Sequence, residues 1–326
     1  MTHTSSTTAE VGMENPIDFL WLELTNQCNL RCVHCYAESS PHARHSDRLL
    51  LADYERLINE ARTLGCRKIQ FIGGEPTLNQ ELEHLIVRAV SAGYTFIEVF
   101  TNLTRLSQKL LVCFKNHGVH VATSIYAPTH DIHDRITQVQ GSFKKTIGNL
   151  QRLLEVNVSV RVGVINMKQN SDLIDATIQF LKNKGVENVG IDRLRLFGRG
   201  RTGGKGDLQE LCGACAGGTL CIAPDGRVSP CIMSKDWSIG SVLETSLADI
   251  VESEKLRSLR KNIYRTVVES REASGGSHYG NKNTISVCDP HCPPYCEPAC
   301  SPRCGPTCDP ISCNPRSCWP AMCNPT

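Results

Sequence analysis

Apolar residues follow two alternating periods along the chain. Short runs rich in Val, Ile, Leu and Phe occupy 19–24, 68–72, 94–101, 119–125, 158–165 and 188–194, and these read as strands. Between them the spacing lengthens to that of a helix. Tyr54, Leu57, Ile58, Ala61 and Leu64 fall at i, i+3, i+4, i+7 and i+10, which puts them on one face. Leu82, Leu85, Ile86, Ala89 and Val90 repeat the pattern. So do Leu106, Leu110, Leu111 and Phe114, and then Phe143, Ile147, Leu150 and Leu154, while 173–181 is a noisier fifth case. Gly65, Gly93, Gly118 and Gly185, with Asn157, each follow a helical stretch. Gly and Asn tolerate the left-handed conformation that closes a helix, so these five are predicted C-caps. A βα unit repeated about six times requires a parallel sheet with right-handed crossovers. An open doubly wound sheet and a partial barrel both satisfy it.

Beyond Arg195 the pattern changes. The Gly- and Arg-rich stretch 198–206 reads as a flexible basic loop or linker whose charges are solvated. Four cysteines then lie in 212–231 around the turn signal Pro224-Asp225-Gly226. One amphipathic helix is expected over 246–262, followed by a Gly275-Gly276-Ser277 connector.

Composition narrows the partners. The 326 residues carry 35 basic and 33 acidic side chains, a net charge of +2, which argues against nucleic acid held by electrostatics. With 40% hydrophobic residues there is material for a sizeable core, yet no run approaches the ~18 apolar residues of a membrane span. Residues 1–16 are Thr/Ser-rich, lack the features of a secretory signal and are expected to be disordered, so the protein is expected in the cytoplasm. Eighteen cysteines in a cytoplasmic chain point to metal or redox chemistry rather than to disulfides. Nine of them, with ten of the 16 prolines, crowd into 288–326 as Cys-x-Pro units. Proline at that density forbids a regular helix, so thiol ligation is what would order this tail.

Cys28, Cys32 and Cys35 form C-x3-C-x2-C directly after the first strand. Thiolates are the usual ligands of iron–sulfur clusters, and three close together suit a cluster with one iron left for a non-protein ligand. A tetrahedral zinc site with His34 as a fourth donor is the competing reading. In parallel α/β folds the loops at the carboxyl ends of strands carry the chemistry. The next such loop holds Gly73, Gly74, Glu75 and Pro76, where paired glycines would let a ligand touch the backbone.

Together these motifs resemble those of radical S-adenosylmethionine (SAM) enzymes with a SPASM or twitch-type C-terminal extension. Cys28, Cys32 and Cys35 match the cluster motif, with His34 at the aromatic position, and Gly73, Gly74, Glu75 and Pro76 match the motif that approaches the methionine amino group. The resemblance implies a partial (β/α)6 barrel over 17–197, a small Cys-rich auxiliary-cluster region over 198–287 and the Cys/Pro-rich tail 288–326. It also implies a [4Fe–4S] cluster, SAM and at least one auxiliary [4Fe–4S] cluster. Asn102, ending the third strand, and Ser124, ending the fourth, correspond to positions that touch SAM. Arg161 is a further candidate, either for the SAM carboxylate or as a structural ion pair. Cys215 and Cys231 resemble the opening of the SPASM pattern, and Cys288 and Cys292 complete the expected auxiliary set.

The expected activity is reductive cleavage of SAM to a 5′-deoxyadenosyl radical that takes hydrogen from a substrate carbon, with a low-potential flavodoxin or ferredoxin as electron donor. A ribosomal peptide is the expected substrate, as an oxidoreductase or isomerase reaction. The alternatives are epimerisation or dehydrogenation of a sugar or aminoglycoside and, more remotely, a metal or iron–sulfur carrier. With 16 residues ahead of the barrel, a separate peptide-recognition domain of the kind some of these enzymes carry is not expected. No side chain is assigned to substrate catalysis.

Overall fold

The computed structural model describes residues 17–43, 47–201 and 206–270. The N-terminal segment and the tail, including Cys288 and Cys292, lie outside the described residues. In chain order the elements are β1 (Phe19–Glu23), α1 (Leu51–Thr63), β2 (Lys68–Ile72), α2 (Leu82–Ser91), β3 (Phe96–Phe100) and α3 (Gln108–Asn116). Next come β4 (His120–Ser124), α4 (His130–Thr137), α5 (Ser142–Glu155), β5 (Val160–Asn166), α6 (Ile174–Asn183) and β6 (Asn188–Arg193). The C-terminal part adds β7 (Thr219–Ile222), β8 (Arg227–Ser229), β9 (Gly240–Ser241), α7 (Leu247–Val251) and α8 (Glu254–Ile263).

The sheet order is β6-β5-β4-β3-β2-β1-β7-β8-β9. From β6 to β7 every pairing is parallel, and β1 to β6 are neighbours in strict chain order. A doubly wound sheet reverses its order at a switch point. None occurs within β1 to β6, so this part of the fold is the singly wound partial (β/α)6 barrel. The Cys-rich segment, expected as a small unit after the barrel, adds its strands to the same sheet, with β7 alongside β1 and a short antiparallel continuation through β8 and β9.

The period-two alternation of the strands sorts their side chains. Leu20, Leu22, Ile69, Phe71, Val99, Val121, Val162 and Val164 pack in the main core beneath the helices, with Leu57, Ile58, Leu85, Ile86 and Leu150 opposite. The other face lines the barrel interior, where Trp21, Gln70, Glu98 and His120 stand in register. That face is polar at its base. Arg161 grips Glu98 with two bonds of 2.7 and 2.8 Å, and Gln70 donates to the same carboxylate. Burial works to raise the Glu98 pKa, but the Arg161 charge and these hydrogen bonds outweigh it and hold the carboxyl below its usual range.

All five predicted C-caps adopt positive φ, including Asn157 at 58°. Two expectations for helices change. α4 is an unforeseen helix whose buried face is His133, Ile136 and Thr137, too polar to register as an apolar stripe. The helix expected over 246–262 is two, because Ser246 caps α7 and Ser253 starts α8 afresh by accepting from the Leu256 N–H at 3.2 Å. Among the described residues no helix is long and apolar enough to cross a membrane.

Candidate functional site

The loop after β1 presents Cys28, Cys32 and Cys35 at the carboxyl ends of the strands, and it is bound on every side. The Cys28 N–H donates to Ser40 O at 3.0 Å, and the Arg31 and Val33 N–H groups donate to Thr137 O and Ile136 O at the end of α4, both at 3.0 Å. The Gly74 N–H donates to Thr25 O (2.7 Å) and the Glu75 N–H to Gln27 O (2.9 Å). The Cys28 sulfur accepts from the Leu30 N–H at 3.4 Å and from Asn102 Nδ2 at 3.7 Å.

None of the three sulfurs is in a disulfide. Burial pushes the Cys28 thiol up to about 12, and Glu75 and Cys35 add to the shift. Cys32 rises as well, through burial and then through the proximity of Cys35 and Cys28. Burial and mutual repulsion thus disfavour the thiolates of Cys28 and Cys32, which a cationic core would stabilise. Among the described residues no three His, Cys, Asp or Glu side chains converge on a single ion. His34 does not supply a fourth donor. Its ring packs edge-on against Tyr126 at 4.8 Å, its Nδ1 is shut off from solvent without a hydrogen-bond partner, and burial followed by the Arg199 charge holds its pKa near 4.

The Gly73–Pro76 loop is held by two sets of close contacts. A Cβ on Gly73 would meet Thr25 O at 2.5 Å, and one on Gly74 would meet Gln27 O at 2.2 Å. Close approach of the cysteine loop therefore requires glycine at both positions. The Glu75 side chain is fully buried and accepts from Thr77 N (3.1 Å), Thr77 Oγ1 (2.7 Å), Thr101 Oγ1 (2.6 Å) and the Asn102 N–H (2.7 Å). Its carboxylate is a staple between the ends of β2 and β3, and Pro76 opens the short turn that follows.

Asn102 stands between that staple and Cys28. Its Nδ2 donates to Asn29 Oδ1 at 2.9 Å while its Oδ1 accepts from the Thr104 N–H and hydroxyl at 2.9 and 2.6 Å. Ser124, at the end of β4, bonds to the Tyr126 hydroxyl, which lies close enough to Cys32 and Cys35 to feel their charge. Arg161 is not with them. Its guanidinium is bound to Glu98 in the barrel interior, so the structural ion pair is the reading the geometry supports.

A second thiol group lies on the other side of β1. Cys212, Cys215 and Cys231 line one small cavity with Trp21 and Arg195. The Cys215 thiol donates to the Cys231 sulfur, which lowers Cys231 and raises Cys215. Cys231 is fixed by Ser234 Oγ, which accepts its N–H at 2.8 Å and donates to its carbonyl at 2.9 Å. A cavity of about 300 Å3 is walled by Tyr36, Glu38, Phe197, Met233, Lys235 and Asp236. Lys235 Nζ lies 2.6 Å from the fully buried Glu23 at the end of β1.

Four features escaped the pattern of the sequence: Cys212 as a member of the second group, Tyr126, the Glu23–Lys235 pair and Arg199. Of these only Glu23 left a signal, a carboxylate in an otherwise apolar strand.

Comparison with known proteins agrees with this geometry. The radical SAM superfamily matches residues 22–181, and an iron–sulfur cluster-binding domain, SPASM, matches residues 205–293. The sporulation killing factor maturation protein SkfB of Bacillus subtilis is 26% identical over 277 residues, 73% of this chain and 66% of SkfB. A GTP 3′,8-cyclase of Clostridium perfringens is 25% identical over 76% of this chain and 90% of the cyclase. Among solved structures, Streptococcus suis SuiB bound to its precursor peptide SuiA superposes with a TM-score of 0.63 at 15% identity, over 75% of this chain and 66% of SuiB. The chain therefore spans just under two thirds of SkfB and of SuiB. With both cluster-bearing segments matched in their order along the chain, the protein belongs to the radical SAM superfamily, as a member with a SPASM domain whose cofactors are a [4Fe–4S] cluster, SAM and auxiliary iron–sulfur ligation.

Proposed function

We propose that this chain is a peptide-modifying radical SAM enzyme in which Cys28, Cys32 and Cys35 hold the SAM-binding cluster. The observation that carries the reading is the set of three free cysteines on one pinned loop, Cys28 buried and Cys32 and Cys35 half-buried, close enough to repel as thiolates. Bound together, the reduced cluster and SAM supply a 5′-deoxyadenosyl radical that takes hydrogen from a substrate carbon.

The chain's own contribution is orientation and exclusion of water. The Glu75 staple and the glycine pair hold the cysteine loop against β2, and Asn102 offers its amide to the Cys28 sulfur, the kind of hydrogen bond that tunes a cluster potential. Ser124 with Tyr126 and the backbone of Gly73 and Gly74 complete the proposed SAM surround. Arg161 shapes the base of the barrel through Glu98. Cys212, Cys215 and Cys231 are the proposed described ligands of the auxiliary cluster, with a further thiol from the Cys-x-Pro tail, where Cys288 and Cys292 stand first. The cavity of about 300 Å3, lined by Tyr36 next to Cys35 and Ile232 next to Cys231, is the proposed substrate space.

A peptide substrate is supported by two of the relatives, one named for maturation of a killing factor and the other seen with a precursor peptide. The similarity to a GTP cyclase supports a small-molecule substrate as the second reading. A low-potential flavodoxin or ferredoxin is the proposed electron donor. Anaerobic reconstitution, reduction with dithionite and quantification of 5′-deoxyadenosine test the cluster assignment. The expected result is formation by the native chain and none after Cys32→Ala. A native chain that binds iron through these cysteines yet forms no 5′-deoxyadenosine refutes the proposal. Mass spectrometry on peptides encoded beside the gene, against GTP and aminoglycosides as controls, decides the substrate class.

A further inference from the structure

The Gly- and Arg-rich stretch after β6 reads from sequence as a solvated linker, and its described part is packed onto the cysteine loop instead. A Cβ on Gly198, at φ +50°, would lie 2.4 Å from both Cys35 O and Tyr36 O, and one on Gly200 would lie 2.6 Å from Arg195 O. The glycines flanking Arg199 thus let this backbone lie directly on the loop. The Arg199 N–H donates to Cys35 O at 3.0 Å, its Nε to Cys32 O at 2.8 Å and its Nη2 to Ser39 O at 2.9 Å. Two nitrogens of one planar guanidinium span two carbonyls in a fixed fork, which a lysine ammonium cannot reproduce. Two residues on, Arg201 pairs with Asp236 at 3.0 Å, in the short turn just after Cys231.

We propose that Arg199 is the positioning residue of the first cysteine loop, a fork that fixes the carbonyls of Cys32 and Ser39 and so sets where the Cys32 and Cys35 sulfurs meet their cluster. This rests on the reading of Cys28, Cys32 and Cys35 as cluster ligands. The same short segment, through Arg201, ties that loop to the second thiol group, so the two sites share a mechanical link. Arg199 also brings a positive charge to a site crowded with sulfur anions, and charge and fork are separable by substitution.

The test uses the full chain with Arg199→Lys, which keeps charge and loses the fork, and Arg199→Met, which loses both. Each is reconstituted anaerobically alongside the native chain. The readouts are the SAM-induced change in the electron paramagnetic resonance signal of the reduced protein and the rate at which a ferrous chelator removes the iron that gives it. Groups supporting metal ligands typically contribute 10- to 100-fold in affinity, so both variants are expected to lose this iron about ten-fold faster with a weakened SAM-induced change. Release within about two-fold of native in both variants overturns the proposal, and so does a lysine variant that behaves as native while the methionine variant fails, since charge alone then suffices. If the methionine variant does not fold, the lysine variant decides. A native chain with no SAM-sensitive signal overturns the cluster reading itself. A native signal with unaltered variants overturns only the role of Arg199.

Discussion

The two thiol groups lie on either side of β1 and are built differently. Around Cys28, Cys32 and Cys35 the chain is held by backbone bonds to β2 and α4, by Asn102 and by Arg199, all supplied from described residues. Around Cys215 and Cys231 the thiols hydrogen-bond to each other beside Cys212, and the further cysteines proposed to join them begin at Cys288. The first site is prearranged by the barrel. The second has a cradle that, on the proposed ligand set, more chain completes. A prearranged site costs little chain entropy when it takes its cofactor, whereas a site completed by an extended segment must order that segment at the same moment.

The sharpest test of this contrast is removal of one thiol from each group. Cys28→Ala is expected to abolish the SAM-sensitive paramagnetic signal and 5′-deoxyadenosine formation, while Cys231→Ala lowers iron content and leaves the SAM-sensitive signal in place. Loss of that signal in the Cys231 variant would show that the sites are not independent. Gly74→Ala should be nearly as damaging to the first site. With a Cβ 2.2 Å from Gln27 O the loop must shift, so first-site iron should fall and stability drop by about 2 kcal/mol or more. Iron analysis with thermal unfolding checks it, and a variant of native stability and iron content contradicts the packing described.

Acid should also act on the first site before the second. His133, on the buried face of the helix that anchors the loop, is held down to about 4 by burial, partly offset by Asp134. A base with a depressed pKa contributes stability that is whole above its ordinary value and lost as pH falls through the folded value. The window is therefore from about 6.5 down to about 4, and the loss is at most about 3 kcal/mol. Chemical denaturation across that range is expected to give a flatter stability curve for His133→Gln than for the native chain. An unchanged slope would remove His133 as the cause. The smallest effect belongs to the second side. Ser253→Ala removes the cap of α8 and should cost about 1 kcal/mol without disturbing the first site, as read by thermal unfolding and the SAM-sensitive signal together.

Much of this molecule was legible before folding, and the reasons differ from element to element. The six parallel strands declared themselves because each buries one face beneath helices, so Val, Ile, Leu and Phe recur at a spacing that side-chain geometry dictates. The helix ends did so because only Gly and Asn enter the left-handed region cheaply, as Asn157 does. α4 was hidden because its buried face includes His133 and Thr137, which satisfy their polar groups locally rather than by being apolar. Glu75 and the glycine pair were recognisable as a motif, yet their packing against Thr25, Gln27, Thr101 and Asn102 was not. A sequence shows that close approach is needed but not what approaches.

What the chain determined by itself is the alternation of strand and helix, the places where helices stop and the clustering of thiols at one strand end, since each depends on residues near one another along the backbone. What only the tertiary structure decided is partnership. The single winding of the sheet, the commitment of Arg161 to Glu98, the closure of Glu75 onto Thr101 and Asn102 and the reach of Arg199 to Cys32 and Ser39 all join residues tens to more than a hundred positions apart. Such pairings are chosen by the packing of the whole sheet, because a buried charge takes whichever partner folding brings within reach, and no local periodicity carries that information.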